Sequence, residues 1–129
     1  MPKKAYGKKV VVEGHELSLS VATEAGGFVF VSGFVSCDED YQLLLDCGIE
    51  DQVTNTMNTI KRALEEAGCV MDDIVKLNVL LANRDVFPGY NSTVKTFFSD
   101  GQEPARITTV GDFLVEGVLC EIDAIAYKG

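Results

Sequence analysis

An arginine and two carboxylates near the end of the chain are residue types that could do chemistry together. Arg106 opens the run "RITTV", and Glu121 and Asp123 lie in "CEIDAIAY". If residues 105–110 and 118–125 pair as an antiparallel hairpin, Arg106 lies opposite Glu121 to within one residue of register. The guanidinium could then hold a substrate carboxylate with two hydrogen bonds, while Glu121 works on a water molecule.

The same spacing has a simpler interpretation, which is a cross-strand salt bridge between Arg106 and Glu121. Such pairs are common in sheets, and each contributes only roughly 0.2–1 kcal/mol to stability. From spacing alone the salt bridge is the favoured interpretation. Spacing cannot choose finally between the salt bridge and the anion site.

Composition excludes several classes of function. The chain has 129 residues, which fits a single domain over residues 1–129, and its net charge of −9 disfavours nucleic acid as a partner. No apolar run approaches the roughly 20 residues that span a bilayer, and the lysines at the N-terminus are followed by no hydrophobic segment. We therefore predict a cytoplasmic protein without a membrane partner. One histidine and four cysteines without a C-x-x-C pair indicate no metal site.

Hydrophobic periodicity predicts the elements that must position these residues. Residues 8–14 and 26–36 have the composition of strands, and residues 37–48 that of a loop. Residues 49–67 have one apolar helical face, and Gly68 is the expected stop. That face consists of Val53, Met57, Ile60, Leu64 and Ala67.

The second half of the chain again predicts strands separated by a helix. Residues 74–82 form a mostly buried strand, and Asp85 can cap a second helix. The inner face of this helix is Phe87, Tyr90, Val94, Phe97 and Phe98, a stripe that is typical of a core. Strands at 105–110 and 118–127 close the chain.

This order predicts an α+β fold, a two-layer sandwich of a mixed β-sheet with two helices on one face. Residues 118–127 carry apolar side chains on both faces of their strand, whereas the helices can cover only one face. A sheet that is apolar on its uncovered side implies oligomerisation.

A series of motifs spans the chain from about Ser20 to Ala126. They are "G-x-x-x-F-V-S-G", "Q-x-x-x-x-x-N" leading a helix to "A-G", "V-K-x-x-V-x-L", "F-x-x-x-N" before "F-F", "P-A-R" and "E-I-D-A-I-A". In this order and spacing they resemble the Rid family of reactive intermediate deaminases, also called the YjgF family. Each motif is weak by itself, and the series is specific for the fold.

The resemblance implies a bacillus chorismate mutase-like fold and a homotrimer whose sites lie between subunits. It also implies hydrolysis of enamines and imines such as 2-aminoacrylate and 2-iminopropionate. The products are a 2-keto acid and ammonia. The implied partner is thus a small-molecule imino or keto acid, with no cofactor and no metal.

The family's functional residues fall on specific positions of this chain. The carboxylate-binding arginine falls on Arg106 and the water-positioning glutamate on Glu121. The family's asparagine falls on Asn91, its ligand-contacting backbone groups on Thr108, and the glycine that lets the chain approach the cleft on Gly33. This resemblance makes the anion site the favoured interpretation of Arg106.

Four positions depart from the family's usual residues and make the expected pocket wall more apolar. Leu19 and Val94 replace tyrosines, Phe34 replaces a glutamine, and Thr108 replaces a cysteine. A deaminase with a less polar or larger imine substrate would keep Arg106, and so would a non-catalytic protein that binds small carboxylates. An endoribonuclease or translation inhibitor ranks third, because a net charge of −9 argues against tight RNA binding.

Overall fold

The computed structural model describes residues 3–129, which contain a six-stranded mixed sheet, a separate two-stranded hairpin and two α-helices. The strands are β1 Lys4–Tyr6, β2 Val11–Val12, β3 His15–Glu16, β4 Ala22–Ala25, β5 Phe28–Phe34, β6 Ile74–Leu81, β7 Ala105–Val110 and β8 Cys120–Tyr127. The helices are α1 Ile49–Glu66 and α2 Phe87–Lys95. Both helices lie on one face of the sheet, which confirms the predicted α+β sandwich.

Helix α1 forms as its periodicity predicts. Val53, Met57, Ile60 and Leu64 are fully buried against the sheet. The helix ends because Gly68 adopts a φ of +86°, a left-handed conformation that glycine tolerates without a Cβ clash. In α2, Tyr90 and Val94 are buried as expected, whereas Phe87 is 38% exposed and lies outside the core.

The strand predicted at residues 8–14 is mostly wrong. Only Val11–Val12 is extended, and it pairs with β3 rather than with the main sheet. The turn between them has positive φ at Glu13 and at Gly14, the geometry that two-residue hairpin turns favour. Strands β1 and β4, three and four residues long, are too short to show a hydrophobic period.

The predicted hairpin between the last two strands is also wrong, because β6 lies between them. The sheet order is β1-β4-β5-β8-β6-β7, with β7 parallel and β8 antiparallel to β6. Six of the eight residues of β6 are apolar, which suits an inner strand that is paired along both of its edges. As a result Arg106 pairs with Leu77 of β6, whereas Glu121 pairs with Leu80.

This register puts Arg106 and Glu121 on opposite faces of the sheet. Leu77 and Leu80 are three positions apart on β6, and alternate residues of a strand point to opposite faces. Leu77 is buried under the helices, so Arg106 is on the helix side and Glu121 is on the uncovered side. One copy of the chain therefore cannot bring the two side chains together as the hairpin would.

The uncovered face of the sheet carries exposed apolar side chains. Phe28 and Phe30 of β5 are 40% and 43% exposed, Tyr127 is 49% exposed, and Ile107 is 52% exposed. The ring of Phe28 packs against Tyr127 with centroids 5.0 Å apart. The apolar character predicted for this face is thus present, and the oligomer that would cover it stays a prediction. Among residues 3–129 no helix is long and apolar enough to cross a bilayer.

Gln52 ties two segments together beneath the sheet. Its side chain is fully buried, and Nε2 donates to the carbonyls of Leu45, Cys47 and Gly117 at 3.1–3.4 Å. Its Oε1 accepts from the N–H of Leu119 at 2.9 Å. Every polar atom of the amide is therefore satisfied, and the segment before α1 is fixed to the segment that leads into β8.

Candidate active site

Arg106 lies on β7, the edge strand beside the start of α2. Its guanidinium carbon is 5.7 Å from the ring centroid of Phe87 and 5.4 Å from that of Tyr90. Its Nη1 donates to Oδ1 of Asn91 at 3.0 Å. Phe87, Tyr90 and Asn91 follow one another at spacings of three and one, which places all three on one side of α2.

The structure does not support the salt-bridge interpretation of Arg106. Within residues 3–129 there are three ion pairs, and none of them includes Arg106. Its neighbours are two aromatic rings and a neutral amide, which orient a guanidinium without neutralising it. The cation is therefore available to an anion.

Tyr90 forms the buried wall beneath the guanidinium. Burial raises the pKa of Tyr90 to about 12, although the nearby Arg106 acts in the opposite direction. The phenol is therefore neutral at any physiological pH. Its Oη is buried and makes no well-aligned hydrogen bond.

The backbone of Thr108 faces the open edge of the sheet. Gly111, just after β7, donates its N–H to the carbonyl of Leu81 in β6 at 3.0 Å. In a parallel pair alternate residues bond to the neighbouring strand, so Thr109 and Ile107 do so as well. The N–H and C=O of Thr108 consequently point away from the sheet, two positions along β7 from Arg106. The hydroxyl of Thr108 points inward, and its Oγ1 is buried without a hydrogen-bond partner.

Glu121 lies on the uncovered face, next to Asp123. A cavity of about 190 Å³ opens there, bordered by both carboxylates and by Ile107 and Thr109 of β7. Asn78 donates to Oδ1 of Asp123 at 2.7 Å. Partial burial raises the pKa of Glu121, and the charge of Asp123 adds to this effect. A carboxylate with a raised pKa is a stronger base than an ordinary glutamate.

Gly33 leaves space for the carboxylate of Glu121, because glycine has no side chain. A Cβ atom at position 33 would lie 2.7 Å from Oε2 of Glu121, closer than atoms that are not bonded approach each other. The neighbouring Ser32 donates from Oγ to the carbonyl of Ser20 at 2.6 Å, which fixes the segment of Leu19 beside Gly33. Leu19 itself is 40% exposed.

Phe34 does not line a cleft as predicted. Strand β5 has a bulge between Val31 and Phe34, which changes the face to which the following side chain points. The ring of Phe34 is therefore only 6% exposed and stacks on Tyr41, with centroids 5.6 Å apart. Its role is in the core.

The candidate residues thus form two groups on opposite faces of the sheet. The arginine group consists of Arg106, Asn91 and the backbone of Thr108. The glutamate group consists of Glu121 and Gly33, whereas no contact within residues 3–129 assigns the predicted Leu19 to either group. Sequence reasoning missed the packing of Phe87 on the guanidinium, although its spacing from Asn91 indicates one helix face. Residues 3–129 contain no cluster of three or more side chains suited to a metal ion.

Comparisons with known proteins agree with this fold and these motifs. A family model described as Endoribonuclease L-PSP matches residues 15–128. The chain belongs to this family, also called Rid or YjgF. Over 109 residues the chain is 34% identical to a RutC family protein of Pyrococcus abyssi, covering 84% of this chain and 85% of that protein.

Two further members of the Rid family are similar to this chain, one in sequence and one in structure. A mouse protein named 2-iminobutanoate/2-iminopropanoate deaminase is 32% identical over 110 residues, covering 85% of this chain and 81% of that protein. The crystal structure of a Rid family protein of unknown function from Yersinia pestis superposes with a TM-score of 0.85 at 27% identity. The superposition covers 98% of this chain and 99% of the Yersinia pestis chain. The fold is thus that of the Rid family, which is chorismate mutase-like.

Proposed function

We propose that this protein hydrolyses reactive 2-imino acids and their enamine tautomers to 2-keto acids and ammonia. The observation that carries the proposal is Arg106, a cation without a carboxylate partner that is oriented by Asn91 and two aromatic rings. The outward backbone of Thr108 lies two positions along the same strand. Relatives of mouse, rat and Dermatophagoides farinae named as deaminases of such imines, 29–33% identical to this chain, support the same chemistry.

The arginine group would bind the substrate carboxylate. The guanidinium has a flat fork of donors that matches a carboxylate, and its uncharged neighbours leave the positive charge unpaired. The N–H of Thr108 adds a donor at the strand edge. Together they fix the position of the imine carbon, which is attached directly to the carboxylate.

The glutamate group would act on water. Glu121 accepts a proton from a water molecule whose oxygen adds to the C=N carbon, and the imine nitrogen takes up a proton. The product of this addition is a carbinolamine, and its hydroxyl proton passes through Glu121 to the amine nitrogen as the C–N bond breaks. Both protons of the water are then on nitrogen, ammonia leaves and the C=O bond of the keto acid forms. Such imines also hydrolyse without a catalyst, so that orientation of the substrate and one basic carboxylate is sufficient.

We infer that a complete site needs two copies of the chain. Arg106 and Glu121 lie on opposite faces of the sheet in one copy, so a second copy must supply the missing group. The exposed aromatic side chains on the uncovered face provide an apolar surface for this contact. A closed ring in which each neighbour contributes one group satisfies every site, and the homotrimer implied by the family has this symmetry.

The wild-type protein should accelerate release of pyruvate from 2-iminopropionate. The imine is generated in the assay from alanine by an amino acid oxidase, with catalase present, and the keto acid is measured after trapping the remaining imine with semicarbazide. Faster keto acid formation with the protein supports the proposal. A rate equal to the uncatalysed rate at micromolar protein would contradict it.

Activity should fall at acidic pH through the titration of Glu121. The working form is the carboxylate, and burial and Asp123 hold the pKa of Glu121 above its ordinary value of 4.5. Protonation as the pH falls through this raised pKa removes the base, so kcat/KM decreases on the acidic side. Asp123→Asn removes the neighbouring charge and leaves burial as the only cause of the raised pKa. The midpoint of the acidic limb of the pH profile of kcat/KM should therefore move to lower pH. An unchanged midpoint would contradict the assignment of this limb to Glu121.

A further inference from the structure

A second cavity lies beside Arg106 on the helix side of the sheet. It has a volume of about 360 Å³ and is separate from the cavity that borders Glu121. Its floor is formed by Leu77 and Val94, which are 1% and 4% exposed, and its sides by Phe98 and Pro104. This volume lies within the roughly 300–1,000 Å³ range of small-molecule sites.

The cavity has an apolar floor and a polar rim. Arg106 and Asn91 stand on the rim. Lys95 and Glu103 also line the cavity, so that with Arg106 its lining carries a net charge of +1. Within residues 3–129 no ion pair joins any two of these three side chains. This pattern fits a molecule with a single carboxylate and an apolar tail rather than a dicarboxylate.

Resting on the proposed function, we propose that this cavity binds the side chain of the substrate. The protein then prefers 2-imino acids with branched aliphatic or aromatic side chains over the imine of alanine. Val94 is the specificity-determining residue, because a larger side chain on the buried face of α2 would fill the floor. The carboxylate stays on Arg106 and the apolar tail replaces water in the cavity.

The test compares kcat/KM for the imines of leucine and alanine in the wild type and in Val94→Tyr. We expect the wild type to favour the leucine imine by at least about 10-fold, in line with the discrimination that apolar pockets achieve. Val94→Tyr should bring this ratio close to one and retain turnover of the alanine imine. Equal kcat/KM for both imines in the wild type would overturn the inference.

Val70→Tyr is the matched control. Val70 is 61% exposed and borders neither the cavity beside Arg106 nor the cavity beside Glu121. The same substitution there should leave the preference unchanged, and loss of the preference in this variant alone would overturn the inference. Thermal unfolding checks that Val94→Tyr is folded. If it is not folded, Val94→Leu fills part of the cavity floor instead. This variant should also lower the ratio of kcat/KM for the leucine imine to kcat/KM for the alanine imine.

A binding measurement separates this inference from the proposed function. Calorimetry with 4-methyl-2-oxopentanoate and with pyruvate needs no turnover, and the larger keto acid should bind at least about 10-fold more tightly to the wild type. Absence of imine turnover would contradict the deaminase proposal, while the binding preference still tests the cavity. Tighter binding of pyruvate would overturn the cavity assignment even if imines are hydrolysed.

Discussion

Arg106→Ala is expected to lower kcat/KM for 2-imino acids by roughly 30- to 5,000-fold, because loss of a hydrogen-bonded charge partner costs roughly 2–5 kcal/mol. The side chain has no carboxylate partner within residues 3–129, so its removal leaves no buried charge unpaired. The fold should therefore persist, and the loss should appear both in kcat/KM and in keto acid binding. Steady-state kinetics and calorimetry measure the two.

Two variants make this result specific. Arg106→Lys keeps the charge but lacks the flat fork of donors, so that we expect only partial recovery of binding. Arg84→Ala removes another exposed arginine from the same end of the sheet, at a residue outside the arginine group, and should behave like the wild type. Equal keto acid binding by the wild type and Arg106→Ala would contradict the role of Arg106.

Glu121→Gln is expected to lower kcat by roughly 100- to 10,000-fold, the contribution typical of a positioned general base. Glutamine has nearly the same shape but accepts no proton at neutral pH. The raised pKa of Glu121 means that its surroundings disfavour the charged form, so the neutral amide should not destabilise the fold. Keto acid binding should stay close to that of the wild type, because the carboxylate is held by Arg106.

Asp123→Asn is the matched control for Glu121→Gln. It makes the same change of charge two positions along the strand, on the same face. The control should keep a high kcat at neutral pH, where Glu121 is ionised in either case. An equal loss of kcat in both variants would show that the net charge of this face matters rather than the base at position 121.

Local elements of the fold could be predicted because their signals are local. Helix α1 has an unbroken apolar face and ends at Gly68, and both features are visible in the sequence. The position of β6 between β7 and β8 could not be predicted in this way. A local pattern shows that residues 74–82 form a buried strand, but it does not show which strands pair with it.

The candidate site was predictable in its residues but not in its arrangement. The contact between Arg106 and Asn91 agrees with the family motifs, yet the opposite faces of Arg106 and Glu121 follow only from the register on β6. Phe34 was expected in the pocket wall from the family resemblance, and the alternation in "FVFVSGF" gives no sign of the bulge that turns its side chain inward. A single extra residue in a strand reverses the face of the residues that follow it.

The central claim is that each site combines Arg106 of one copy with Glu121 of another. Its most direct test is to mix two inactive variants, Arg106→Ala and Glu121→Gln, by co-expression with different tags and purification of the mixed oligomer. In a purified mixed trimer, whether two-to-one or one-to-two, about one third of the sites pair an intact Arg106 with an intact Glu121. Imine hydrolysis restored to about that fraction of the wild-type rate is the predicted result. Mixed oligomers as inactive as either variant alone would contradict the account.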